Sequence, residues 1–95
     1  MTYRFQQPQV TQAVAIGAAS AASTNPFGAQ TWAIRVVATG NCHINIGQAP
    51  VATATSAYVA ANQKPEYIRV NPGDKIAVIQ DGSATGNVFV TELSQ

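Results

Sequence analysis

The chain has 95 residues, of which 46% are hydrophobic and only 9% charged, with a formal net charge of +1. Domains need roughly 50 to 250 residues, so a second independent core is excluded. Five Lys and Arg stand against four Asp and Glu, which leaves no run of cations to face phosphates and removes the usual electrostatic basis of nucleic-acid binding.

Residue choice favours strands throughout: ten Val and seven Ile accompany a single Leu, Leu93, and β-branched side chains fit a pleated surface. The 17 alanines sit among Thr, Ser, Gly and Val, where no apolar stripe of helical period develops. Met1 to Gln9 reads as an N-terminal arm, and residues 10–95 as one domain. Gln9 to Ile16 alternates with Val10, Val14 and Ile16 on one face. A long small-residue loop, 17–30, follows, in which Thr24-Asn25-Pro26-Phe27-Gly28 is a turn cluster with one large aromatic. Phe27 either plugs the core or meets a neighbouring molecule.

Thr31 to Thr39 sets Trp32, Ile34 and Val36 on an inward face, with Trp32 expected in the core. Gly40-Asn41 then reads as a type II′ hairpin turn into Cys42, Ile44 and Ile46. Val51 to Ala61 is a Thr/Ala-rich crossing whose sizeable apolar anchors are Tyr58 and Val59. Tyr67 to Val70 is the next strand, and Asn71-Pro72-Gly73-Asp74 is a type II turn, with Pro fixing φ at its second position and Gly taking the left-handed third. Lys75 to Gln80 returns from it and pairs in turn with Asn87 to Leu93, where Val88 and Val90 share one side and Phe89, Thr91 and Leu93 the other. Short strands punctuated by Gly, Pro and Asn predict an all-β fold of about six to eight strands, a compact jelly-roll-like β-sandwich or a small barrel. Its packing layer draws on Trp32, Ile34, Val36, Ile44, Ile46, Ile68, Val70, Ile76, Val78, Val88 and Val90.

The residues that carry chemistry elsewhere are scarce. Cys42 is the only cysteine and His43 the only histidine, so an intramolecular disulfide framework is excluded and His43 cannot supply a transition-metal site without ligands of other types. Neighbours on a strand point to opposite faces, which separates this thiol from its base; a buried Cys42 and an outward or interface-facing His43 are expected. Pro72-Gly73-Asp74-Lys75 resembles the Pro-Gly turn of cupin barrels, but their metal site requires two or three His and a Glu. Glu66, Asp74, Asp81 and Glu92 read as solvated turn residues and rim ion pairs. The expectation is therefore no enzyme, no catalytic or metal residue and no cofactor.

Ala13 to Ala22 is apolar and ends in small residues, yet it follows the polar run Gln6-Gln7-Pro8-Gln9 and alternates as a strand, so it is not read as a signal peptide. No segment approaches the roughly 18 uninterrupted apolar residues of a spanning helix. Synthesis in the cytoplasm and no membrane partner are expected. Scarce charge leaves an Ala/Thr/Ser exterior that repels itself weakly and suits life packed against copies or partners.

The span from Ala13 to Leu93 resembles small proteins encoded among the virion genes of tailed bacteriophages. The likeness is carried by Ser23-Thr24-Asn25-Pro26-Phe27-Gly28, Ile34-Arg35-Val36-Val37-Ala38-Thr39, the stretch Ile44 to Thr53, and Pro72 to Ile79. It implies a virion protein of the capsid decoration or cement type, a homo-oligomer with trimers among the options, seated on the major capsid protein. Tyr3, Phe5 and Pro8 of the arm, Pro26 and Phe27 of the loop, and Tyr58 are the interface residues it implies. The alternative is a receptor- or glycan-binding module of a fibre or tail, with Trp32, Tyr3, Tyr58 and Tyr67 as a stacking platform if exposed.

Overall fold

The computed structural model describes residues 7–94. Eight strands run in chain order: β1 Gln7–Ile16, β2 Ala21–Ala22, β3 Ala33–Ala38, β4 Cys42–Gly47, β5 Ala57–Val59, β6 Glu66–Arg69, β7 Lys75–Gln80 and β8 Gly86–Ser94. They form two four-stranded antiparallel sheets, sheet A in the order β1-β8-β3-β6 and sheet B in the order β2-β7-β4-β5.

The pairings β1 with β8, β2 with β7, β3 with β6 and β4 with β5 describe one long antiparallel hairpin with its tip between β4 and β5. Rolling that hairpin brings β3 against β8 and β4 against β7, which completes the two sheets. An eight-stranded double-sheet roll of this kind is a jelly roll.

The rolled path corrects the expected local hairpins. Only the β4–β5 connection stays within a sheet; β3 to β4, β6 to β7 and β7 to β8 each cross from one sheet to the other. Alternation points both strands of such a pair at one shared core, and it reads the same whether they lie side by side or face to face. Gly40 lacks the positive φ that a type II′ turn requires. It is there for space: a β-carbon at Gly40 would overlap the Thr85 carbonyl where the two crossings meet. The type II turn at Asn71–Asp74 forms as expected, with Gly73 at φ 86° and the Asp74 amide donating to the Asn71 carbonyl at 3.1 Å.

Inward positions of both sheets make one core. Ile34, Val36, Ile76, Val78, Val88 and Val90 are all but fully buried, with Ile44, Val70, Val14, Ile16, Val59, Ala38 and Cys42 around them. Ile46 and Ile68 pack against it half-buried. Trp32 does not belong to it, being 45% exposed. Strand geometry begins only at Ala33, and Thr31 takes the inward place just before it, donating its hydroxyl to Glu92 and its amide to Gly28. Val10 is exposed as well, because the register of β1 slips by one residue between Pro8 and Thr11. Such a bulge turns its residues off the regular alternation.

The segment 17–30 is stitched along β7 as the edge of sheet B. Gln80 donates to Gly17, β2 pairs with Val78 and Ala77, Ser23 exchanges bonds with Ile76, and at the far end the Phe27 amide donates to the Asp74 carbonyl and the Gly73 amide to the Phe27 carbonyl. The Phe27 ring, 2% exposed, fills the core from this segment.

Candidate functional site

Three places gather polar chemistry, and their hydrogen bonds show what each does. On β4, Cys42 points inward and is fully buried, and removal from water raises its thiol pKa to about 11. His43 points to the outer side of sheet B, as expected, but it is covered there and only 8% exposed. Its cross-strand partner Tyr58 lies over it, ring centroids 5.4 Å apart. Nδ1 meets the Ser56 carbonyl and Nε2 the Asp81 carboxylate, both at 2.9 Å. Both partners only accept, so the imidazolium, with both ring nitrogens donating, is the form that satisfies both contacts. The bond to Asp81, then that to Ser56, raises the His43 pKa. No nucleophile joins the pair; the cluster is a clamp between the β4–β5 and β7–β8 connections.

Asp74 and Glu92 are each 7% exposed, a correction to their reading as solvated groups. Asp74 accepts from Gln48 Nε2 at 2.9 Å and the Asn71 amide at 3.1 Å, locking the type II turn. Glu92 takes an inward place on β8 and accepts from the Gly28 amide and the Thr31 hydroxyl, which fixes the end of the 17–30 segment. Both carboxylates serve the fold, since buried charge persists only where donors replace water. An open groove of roughly 560 Å³ lies between Ile44, Ile46 and Ala57 on one side and Ile68 to Asn71 on the other. Among the described residues no group of three or more His, Cys, Asp or Glu is placed to hold a metal ion. No helix among them is long and apolar enough to cross a membrane.

The two outer sheet faces differ. Residues 48–56 roof sheet B: Asn45 Nδ2 donates to Val51, His43 to Ser56, and the Ala52 amide to Ser20 Oγ beyond β7, leaving Ala52 2% exposed. Across the outer face of sheet A, no loop among the described residues is tied by a hydrogen bond. Register sets its side chains in rows: Ala13, Phe89 and Val37 in one, Thr11, Thr91, Arg35 and Tyr67 in the next, then Leu93, Ala33 and Arg69. Phe89 is 40% and Tyr67 66% exposed, with Arg69 exposed beside them, whereas Thr91 and Leu93 of the same rows are buried and Arg35 is half-buried. Arg35 and Arg69, 34 positions apart in the chain, thus share a face that no local reading assembles. The signal for it was the off-phase residues of apolar strands, but neighbouring strands had to be known.

No family model, curated relative or solved structure matches this chain.

Of the interface residues read from sequence, Tyr3 and Phe5 lie outside the described residues, as does the side chain of Pro8, whose backbone pairs with Leu93 within β1. The strand therefore starts inside the expected arm. Pro26 is exposed at the rim of the edge segment, and Phe27 belongs to the core. Tyr58 is 50% exposed above His43. Tyr58 and Tyr67 fall on different sheets, which separates them as members of one stacking platform.

Proposed function

We propose that this chain is a non-enzymatic structural component of a tailed-phage virion, cementing or decorating the capsid through contacts with its own copies and with the major capsid protein. The observation that carries this reading is the exterior. A rigid jelly roll presents Val10, Trp32, Val51, Tyr58, Tyr67 and Phe89 to solvent on a surface with little charge to keep molecules apart. The architecture supports it in a general way, since viral capsid domains use such rolls, although lectins and cupins do too. Pro26 at the rim and Tyr58 on sheet B supply the seam between copies. Size-exclusion chromatography with light scattering tests the reading: a discrete oligomer is expected, and a monomer at every concentration overturns it.

One observation favours a second reading. Trp32, exposed rather than buried, is available to stack on a sugar ring, as a receptor- or glycan-binding module of a fibre or tail requires. Saturable quenching of its fluorescence by a defined oligosaccharide, abolished in Trp32→Ala, would replace the cement reading with this one.

A further inference from the structure

The formal charge of +1 conceals an uneven distribution. All four Asp and Glu of the chain fall within the described residues, and three of them are occupied by the fold. Asp74 and Glu92 are buried on backbone and side-chain donors, and Asp81 holds His43. Glu66 alone is free on the surface, and its register position opposite Val36 puts it out of phase with Tyr67 and Arg69. Among the described residues the outer face of sheet A therefore carries two guanidinium groups and no carboxylate. The one ion pair among the described residues is His43 with Asp81, so neither Arg35 nor Arg69 pairs with a carboxylate among them.

The make-up of this face is that of a protein contact. Tyr, Phe and Arg are enriched at interfaces, while Lys, Glu and Asp are depleted, and Tyr and Arg dominate their energetic centres. Two arginines are too few for a phosphate backbone, which demands several contacts in register. Charge also decides against a second copy. A two-fold contact sets the same patch against itself, here arginines against arginines. A head-to-tail contact would need an acidic patch elsewhere on the molecule, and Glu66 together with the part-exposed Asp81, which is paired with His43, does not make one.

We propose that the exposed part of the outer face of sheet A docks an acidic surface of a different protein, with Arg69 and the half-buried Arg35 pairing its carboxylates and Tyr67 and Phe89 as the apolar anchors beside them. Arg suits this role because its planar fork meets a carboxylate bidentately. This deepens the building-block reading by naming what the block binds.

The test is an NMR titration of the full ¹⁵N-labelled chain. The probes are a short soluble peptide of glutamates interspersed with leucine and phenylalanine, its glutamine counterpart, and a single-stranded DNA oligonucleotide. The glutamate peptide should move the amides of β3, β6 and β8 and bind about fivefold or more tightly than the glutamine peptide. That preference should shrink with salt and vanish in Arg35→Gln/Arg69→Gln. Equal affinity for the two peptides overturns the proposal, as do shifts confined to sheet B, tighter binding of the oligonucleotide, or concentration-dependent shifts of this face without any peptide. If the double variant fails to fold, the two-peptide comparison on the unaltered chain still decides. Loss of the glutamate preference with the oligomer intact removes this face alone, whereas a monomer that keeps the preference removes the cement reading and leaves the docking face standing.

Discussion

Replacing Phe27 with alanine separates its two roles most directly. The ring is 2% exposed and lies within the common core, while its backbone is fixed by bonds to Asp74 and Gly73. Those bonds hold the segment in place, so the walls around the missing ring cannot close in. Under such conditions Phe→Ala costs about 3–5 kcal/mol, transfer and cavity terms together. A chain of 95 residues has a total stability of about 5–14 kcal/mol, so the loss takes a large share and lowers the melting temperature by roughly 12 °C or more. Urea unfolding followed by far-ultraviolet circular dichroism reads the change. Pro26→Ala, one residue earlier and exposed, is the control and should stay within about 1 kcal/mol. A Phe27→Ala protein destabilised by less than about 1 kcal/mol, or one of native stability that no longer self-associates, would refute the core assignment and return Phe27 to the surface.

Gly40→Ala should cost about 2 kcal/mol or more in the same assay, since its β-carbon has to displace the Thr85 backbone; an unchanged midpoint would show that the two crossings do not meet. The pKa of His43 is raised above 6.5 in the folded protein, so its contribution is complete below the unfolded value and fades as pH rises through the folded one. Urea midpoints measured from pH 5 to 9 should accordingly decline over the alkaline part of His43's titration, and Asp81→Asn should flatten that decline; an equal slope in both proteins would count against the clamp. The Cys42 thiol, held near 11 and fully buried, should resist a disulfide reagent at pH 8 until denaturant is added. Rapid reaction in native buffer would place it at the surface.

Much of the sandwich was legible in the chain. The alternation in Ile34 to Val36, Ile76 to Val78 and Val88 to Val90 identifies inward positions, because a strand has a period of two and one face is dry. The Pro-Gly turn was legible for a stereochemical reason, the left-handed φ at Gly73. What alternation leaves out is the partner of each strand. Asn71–Asp74 makes the same tight turn whether the chain doubles back within a sheet or steps across to the other one, so three crossings read as hairpins. Trp32 shows a second limit: its parity is that of Ile34, but the strand starts one residue too late to hold it inward. The docking face was hidden for the same reason as the topology. Arg35 becomes the neighbour of Tyr67, and Phe89 of Val37, only after the hairpin has rolled. The buried carboxylates were missed because Glu92 is surrounded by donors from Gly28 and Thr31, more than 60 positions away in sequence.

Gln7 lies directly opposite Ser94 at the outset of the rolled hairpin. The first and last described positions of the roll therefore sit side by side, at the pole that also bears the β4–β5 tip. The opposite pole is where Gly40 lies against Thr85 and Asp81 grips His43. A reporter or displayed peptide joined directly at Gln7 or at Ser94 would thus start from one and the same pole of the roll.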